Sequence, residues 1–252
     1  MNKIKPDKIK SDKTKTNNIL KLIEERRSTR ALFDQKKPVA EEKIKQIIEA
    51  AKWAPTAHNM QNFDIIFIDD KKILEKIANI KSYPSEEFIR ENFKQLSFSE
   101  EELQKKKIGI MGTQFPPSWR DASKLDAAVR DMTPSPLSNT IKGSQSILIV
   151  IYDSTKRAPA SEGDVLGFLS LGCAMENMWL TAESLGIGFQ IMSVFSSKAI
   201  ANDLKQALDI PAQMEIAFAI RLGYPESKPK YLRVRRNISD FTHHNKFGNK
   251  LS

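Results

Sequence analysis

Hydrophobic positions along the chain alternate between helical and extended spacing. Apolar residues three and four positions apart predict helices after Asn17, after Pro38, and over residues 73–77 and 197–208. Continuous apolar runs predict buried strands at residues 63–68, 146–152, 188–195 and 214–221. Strands interleaved with helices favour a layered α/β or α+β domain, and the periodicity alone leaves the strand directions open.

One predicted helix, over residues 164–185, differs from the others because it is apolar on most of its sides. Gly186 follows it directly and predicts its C-terminal cap. A helix with so little polar surface lies either at the centre of a protein or at an interface between subunits. We therefore expect this helix to be a central element of the fold.

Two segments depart from this regular pattern. Residues 1–16 contain six lysines and two aspartates, and we predict a disordered basic tail followed by a single domain over residues 17–252. Residues 81–140 are rich in charge, proline and aromatic side chains, and we predict an inserted, partly helical region there. Long insertions of this kind are usually lids or binding loops, so this one is a candidate lid.

Composition removes several classes of protein from consideration. The 252 residues include one cysteine and three histidines, which excludes an internal disulfide scaffold and argues against a metal site. No unbroken apolar run reaches the roughly 20 residues of a membrane span, and the lysine-rich start lacks the apolar core of a secretory signal. These features predict a cytoplasmic protein without a membrane or metal partner.

The common catalytic motifs are absent from the sequence. It contains no phosphate-binding P-loop, no H-E-x-x-H of zinc proteases and no G-x-S-x-G nucleophile turn. Gly186 and Gly188 do not complete a dinucleotide-binding G-x-G-x-x-G, and they follow a helix where that motif follows a strand. No side chain is therefore predicted to be catalytic, and an enzyme of this sequence would rely on a cofactor.

Four polar segments remain, and each suits contact with an anion or a flat ring. Residues 26–30 supply three arginines and two hydroxyls, which match a phosphate group, and residues 233–236 supply a second arginine cluster. Residues 54–61 carry amide and hydroxyl side chains, and residues 185–194 include glycines that would let the backbone approach a flat ligand. Taken singly, each also fits a structural role as a helix end, a turn or a solvated tail.

Taken in order, the four segments make the chain resemble the flavin-dependent nitroreductases. That family shows R-[RH]-S-x-[RK] after a first helix, A-P-S-x-x-N-x-Q-P-W before a strand, a long helix ending in L-G-[LI]-G, and a late R-[RK]-x-[LI]. Residues 26–30, 54–61, 185–188 and 235–238 match these patterns in the same order. The chain departs from them at Asn62 and Phe63, which stand where the family has Pro-Trp.

The resemblance implies a three-layer α+β fold, in which helices flank a central mixed or antiparallel β-sheet and the long helix lies at a homodimer interface. It implies bound FMN, reduction of FMN by NADH or NADPH, and ping-pong transfer of hydride to a nitro compound, a quinone or a similar planar acceptor. The positions that match FMN-binding residues of the family are Arg26, Arg27, Ser28, Arg30, Thr56, Ala57, Asn59, Met192, Ser193, Val194, Arg233 and Arg235.

The candidate lid matches no part of the family pattern. Within it, Phe115, Trp119 and Arg120 are candidates for stacking on or steering a substrate, or alternatively for packing a small core of the insertion itself. Other flavin chemistry on the same fold stays open, namely reductive dehalogenation or flavin cleavage, as does a non-catalytic flavin-binding protein. A nucleic-acid-binding module is the alternative from a different class, and the lack of aromatic residues in the basic tail argues against it.

Overall fold

The computed structural model describes residues 18–82, 85–107, 119, 121–131, 135–141, 143–159, 165–227 and 233–250. The basic tail and the lid candidates Phe115 and Arg120 lie outside these described residues. Contacts divide the chain into two compact units, one of Met1–Ser82 with Ser135–Pro229 and the other of Tyr83–Pro134 with Lys230–Ser252. The single domain over residues 17–252 and its lid stay predictions.

Antiparallel strands form the sheets of the first unit. The strands are β1 (Asp64–Ile68), β2 (Lys81–Ser82), β3 (Ser135–Pro136), β4 (Ser146–Asp153), β5 (Gly188–Met192) and β6 (Met214–Gly223). β2 pairs with β3, and the other four strands form one sheet in the order β1-β4-β6-β5. Every pair in that sheet is antiparallel, which settles the strand directions and confirms the α+β class.

Helices and short turns connect these strands. The helices are α1 (18–25), α2 (Glu41–Lys52), α3 (Lys71–Ala78), α4 (Glu86–Leu96), α5 (Glu100–Lys106), α6 (Leu125–Arg130), α7 (Ser138–Ile141), α8 (Val165–Ser184), α9 (Lys198–Ala207) and α10 (Ile238–Phe241). Single 3-10 turns lie at Ala57–Asn59, Ala122–Lys124 and Ser193–Ser196. The helices α1, α2, α3, α8 and α9 lie where the periodicity of the sequence predicts helices, whereas the sequence analysis predicted no individual boundaries for α4 to α7 and α10.

Helices cover both faces of the four-stranded sheet. From Ile147 to Val150, β4 is inaccessible to solvent, and its side chains alternate between two buried clusters. Leu148 and Val150 belong to the cluster that includes α2 and α8, whereas Ile147 and Ile149 belong to the cluster that includes α3 and α9. The first unit is therefore layered as helices, sheet and helices, which confirms the three-layer fold.

Two strand boundaries differ from the prediction by more than one residue. β5 ends at Met192 rather than at residue 195, because the backbone bends at that residue (ψ 84°) and continues as the Ser193–Ser196 turn. Val194 and Phe195 continue the apolar run of β5 in the sequence, although the chain has already left the sheet there. β6 continues to Gly223, because that glycine pairs with Gly188 at the start of β5.

The long helix α8 has a buried stripe and an exposed apolar start. Ala174 and Met178 are fully buried, and the Asn177 side-chain amide donates a 3.2 Å hydrogen bond to the carbonyl oxygen of Ala50 in α2. Its first turns leave four apolar side chains exposed, namely Val165, Leu166, Phe168 and Leu169. By length and composition, with a mean hydropathy of 1.2, α8 could cross a membrane, although the sequence has no unbroken apolar run of that length. A helix buried in a protein core can have the same length and composition.

Candidate functional site

The arginine-rich segment that follows α1 is fastened to the C-terminal half of α8. Arg26 Nε lies 3.5 Å from Glu176 Oε1, and the Arg26 guanidinium lies 4.0 Å from the centre of the Trp179 ring. Trp179 Nε1 donates a 3.2 Å hydrogen bond to the carbonyl oxygen of Arg27. Residues 26–30, called the cationic segment below, thus have a defined position on the helix.

The cationic segment also runs along the free edge of the sheet. Ser28 forms a parallel bridge with Phe189 of β5, and the Thr29 amide donates a 2.9 Å hydrogen bond to the Phe189 carbonyl oxygen. Ser193 begins the turn that follows β5 and lies four residues after Phe189, which corresponds to about 13 Å at the rise of a strand. The edge of β5 therefore connects a cluster of cations to an exposed serine turn.

The turn after β5 contains the second group of predicted site residues. Met192 is buried in the core, Val194 is half-buried and Ser193 is exposed. The Ser196 hydroxyl donates a 2.7 Å hydrogen bond to the Ser193 carbonyl oxygen and so stabilises the turn. A ligand at this place would meet backbone and the Ser193 side chain, whereas the Met192 side chain is in the core.

The third predicted group lies in a strained loop, residues 56–61, which we call the amide loop. His58, Asn59 and Gln61 all have positive φ angles of 48° to 55°, which is costly for residues other than glycine. Two hydrogen bonds fix the loop. The backbone amide of Gln61 donates to Thr56 Oγ1 at 3.1 Å, and the backbone amide of Ala57 donates to Ser170 Oγ of α8 at 3.0 Å. Asn59 is exposed at its tip.

The amide loop contacts the N-terminal half of α8, and the cationic segment contacts its C-terminal half. The loop is fixed at Ser170 and the segment at Trp179, nine residues later, which is about 14 Å along a helix. Beside the loop lies a shallow cleft, open to solvent, with Phe63, Tyr152 and Phe168 among its lining residues. Within one chain, the two groups are therefore anchored apart.

The remaining predicted residues belong to the second unit. Arg233 is half-buried, Arg235 is exposed, and Arg235 Nη1 donates a 2.8 Å hydrogen bond to the Val234 carbonyl oxygen. Trp119 stacks on the buried ring of Phe93 in α4, with ring centres 5.0 Å apart. This packing favours the alternative in which Trp119 forms part of the insertion's own core, and its contact with a substrate stays a prediction.

One buried side chain at the cationic segment was missed by the sequence analysis. Arg221 in β6 is completely inaccessible to solvent, and its Nη2 donates hydrogen bonds to the carbonyl oxygens of Thr29 (3.0 Å) and Ala31 (2.8 Å). Its Nε donates to Gln190 Oε1 at 2.6 Å. Burial first, and the nearby charge of Arg30 second, lower the pKa of Arg221 to about 10. The signal in the sequence was a lone arginine in an apolar strand.

A carboxylate near the same segment was also missed. Burial, foremost, raises the pKa of Glu183 in α8, whereas a hydrogen bond from the Arg27 backbone amide and the charges of Arg26 and Arg27 act in the opposite direction. Glu183 and Glu176 thus place two acidic groups beside the cationic segment. Among the described residues, no group of three or more His, Cys, Asp or Glu could hold a metal ion.

The family model and the relatives that match this chain agree with one another. The model of the Nitroreductase family matches residues 23–224. An "NADPH-dependent oxidoreductase" of Staphylococcus aureus strain USA300 is 24% identical over 230 residues, which cover 91% of this chain and 74% of that protein.

Solved structures with the same fold include a putative NADH dehydrogenase/NAD(P)H nitroreductase from Parabacteroides distasonis, with a TM-score of 0.57 and 21% identity over 90% of this chain and 98% of that one. They also include a nitroreductase with bound FMN from Desulfitobacterium hafniense, with a TM-score of 0.54 and 20% identity over 90% of this chain and 97% of that one.

Proposed function

Because the chain belongs to the nitroreductase family, whose model matches residues 23–224, it is an oxidoreductase, and we propose that it uses FMN to carry hydride from NADH or NADPH to a planar acceptor. Nitro compounds and quinones are the acceptor classes we propose. The Staphylococcus aureus relative is named for NADPH, which makes NADPH the first reductant to test. We propose a cytoplasmic location.

The observation that carries this proposal is the course of the cationic segment along the edge of β5. FMN has a phosphate at one end and a flat ring at the other, joined by a ribityl chain. The segment offers the guanidinium groups and the Ser28 hydroxyl that bind a phosphate, and β5 leads from there to the Ser193 turn. The donors present fit both ends of this cofactor.

Each residue that was predicted to bind FMN has a role in this proposal. Arg26, Arg27 and Arg30 neutralise the phosphate, and Ser28 donates a hydrogen bond to it. The backbone of Met192, Ser193 and Val194 lies against the ring, while Thr56, Ala57 and Asn59 contact its polar edge. The resemblance alone proposes Arg233 and Arg235 as further phosphate ligands. When bound, FMN supplies the hydride chemistry, and the protein positions its ring and limits access of water.

A homodimer formed through α8 would complete the site. Two copies related by a twofold axis across α8 would pack with the helix reversed, so that the start of one helix meets the end of the other. The amide loop of one copy would then approach the cationic segment of its partner. The exposed apolar side chains Val165, Leu166, Phe168 and Leu169 would be covered by this contact.

Visible absorption of the purified protein tests the proposal. We expect a yellow protein whose flavin band bleaches when NADPH or NADH is added without oxygen, and whose colour returns on adding a nitro compound or a quinone. Ser28→Ala with Arg30→Ala should lose FMN, whereas Lys72→Ala, which removes an exposed cation of α3, should retain it.

Other outcomes separate the alternatives. A protein that does not bind added FMN tightly would overturn the proposal and return attention to the basic tail as a nucleic-acid contact. A yellow protein that neither reductant bleaches would be a non-catalytic flavin protein. Bleaching without turnover of nitro compounds or quinones would direct the search to reductive dehalogenation or flavin cleavage.

A further inference from the structure

We propose that Arg221 is a positioning residue for the phosphate end of the flavin, because from inside the sheet it holds the backbone from which Ser28 and Arg30 extend. This inference rests on the proposed function, since it assumes that the cationic segment binds the FMN phosphate. Arg221 itself is buried and does not touch the ligand; it acts through the carbonyl oxygens of Thr29 and Ala31.

The guanidinium of Arg221 links three parts of the fold. Nη2 donates to both Thr29 and Ala31, Nε donates to the Gln190 side chain in β5, and Nη1 lies 3.5 Å from the carbonyl oxygen of Ile141 in α7. The chain around Arg30 is therefore held from both sides of that residue, while Gln190 fixes the direction of the guanidinium. Such a brace sets the place of the Arg30 side chain relative to β5.

Arginine suits this task better than lysine. Its planar group presents five N–H donors in a fixed fork, so that one side chain can reach two carbonyl oxygens and an amide oxygen together. The Arg221 guanidinium also lies 4.4 Å from the centre of the Phe33 ring, which packs against its face. A lysine ammonium is a point charge on a flexible chain and would satisfy fewer of these groups.

Loss of Arg221 would affect the segment strongly because Thr29 is itself buried. A buried carbonyl oxygen without a donor is costly, so the Thr29–Ala31 backbone would move to find water or another donor. The buried cation also lies close enough to Arg30 for the two charges to interact. Arg221 therefore contributes positive potential to the segment as well as its geometry.

Binding of FMN and of riboflavin, measured in parallel on the apo-protein, tests the inference. Riboflavin has the same ring and ribityl chain and no phosphate, so a defect at the phosphate end affects FMN alone. We expect Arg221→Met to raise the Kd for FMN about tenfold or more, and to change the Kd for riboflavin less than about threefold. Arg221→Lys should give an intermediate FMN Kd.

Lys205→Met is the matched control. Lys205 is a second, mostly buried cation beside β6, where its ammonium donates to the Ala212 carbonyl oxygen at 3.0 Å and to Glu215 at 2.9 Å. It braces α9 rather than the cationic segment. Its removal should lower the melting temperature and leave the ratio of the FMN and riboflavin Kd values as in the wild-type protein.

The ratio of the two Kd values decides the outcome. Equal weakening of both ligands in Arg221→Met, or an unchanged FMN Kd, would overturn the inference. If that variant does not fold, Gln190→Leu carries the test, because it frees the guanidinium while keeping the buried charge, and it should shift the ratio in the same direction. Failure of the wild-type protein to bind FMN would overturn the proposed function instead.

Discussion

Trp179 Nε1 donates a hydrogen bond to the carbonyl oxygen of Arg27, and the same indole ring contacts both the Arg26 guanidinium and the ring of Phe189 in β5. One side chain of α8 thus joins the long helix, the cationic segment and the edge strand. Its ring centre lies 5.2 Å from that of Phe189, in a stacked arrangement. The position of the segment therefore depends on α8 as well as on the sheet.

Trp179→Phe should keep most of the ring packing and remove the hydrogen bond to Arg27. We expect the free energy of unfolding to fall by about 1 kcal/mol, because the Arg27 carbonyl loses a donor. The FMN Kd should rise a few-fold. Urea denaturation and fluorescence titration measure the two effects. Trp53→Phe changes a tryptophan that is 73% exposed and should leave both values unchanged; an equal effect there would contradict this assignment.

Glu176→Gln should strengthen FMN binding. The carboxylate of Glu176 lies 3.5 Å from Arg26 and offsets part of the positive charge available to a phosphate. We expect the FMN Kd to fall about two- to fivefold at low ionic strength and the gain to shrink in salt, since partly exposed charges are screened. Titrations at two salt concentrations measure this. Weaker binding would show instead that Glu176 holds Arg26 in its binding position.

The matched control for that variant is Glu49→Gln on α2. Glu49 pairs with Lys52 at 2.8 Å, and both of those side chains are more than half exposed. Its replacement also removes one negative charge from the protein. The FMN Kd of this control should therefore differ from that of the wild type only by the small effect of net charge.

The pH dependence of stability should report Glu183. Burial raises its pKa in the folded state above the value in the unfolded chain, so the folded state holds this proton more tightly. The tighter binding of this proton stabilises the folded state fully at pH values below the pKa of Glu183 in the unfolded chain. This stabilisation is lost as the pH rises through the pKa of Glu183 in the folded state. Glu183→Gln should remove this loss. In urea denaturation at a series of pH values, the free energy of unfolding of the variant should therefore exceed that of the wild type by more as the pH rises.

Leu169→Lys should separate the proposed homodimer. Leu169 is 59% exposed on α8, and a lysine there would place a charge in the apolar contact between the two copies. We expect the dimer dissociation constant to rise about tenfold or more, measured by light scattering during gel filtration. Ile73→Lys on α3, at a partly exposed apolar position outside α8, should leave the mass unchanged. A monomeric wild-type protein would contradict the prediction at once.

Local patterns were enough to predict most of the fold. The apolar runs of β4 and β6 are consequences of burial in the central layer, and burial is recorded in the sequence position by position. The predicted end of β5 was wrong, because Val194 and Phe195 continue the apolar pattern after the chain has turned out of the sheet. Strand direction depends on pairing between distant segments, which periodicity does not record.

The candidate site was only partly predictable for the same reason. Arg26, Ser28 and Arg30 stand close together in the sequence, so their shared chemistry is visible there. Arg221 acts on Thr29 and Ala31 from about 190 positions away, and only folding brings them together. Likewise, packing of Trp119 within the insertion was one of two alternatives that the sequence left open, because its stacking on Phe93 depends on the folded structure.

The left-handed backbone of the amide loop has a consequence for the thermodynamics of binding. The positive φ angles of His58, Asn59 and Gln61 are supported by the hydrogen bonds from the Gln61 backbone amide to Thr56 and from the Ala57 backbone amide to Ser170. Each such residue costs about 1–3 kcal/mol, and this cost is offset by the contacts of the surrounding folded chain. Hydrogen bonds that hold a loop in one conformation reduce the conformational entropy it loses on binding. Tight association with a small, rigid ring is the behaviour that this arrangement favours.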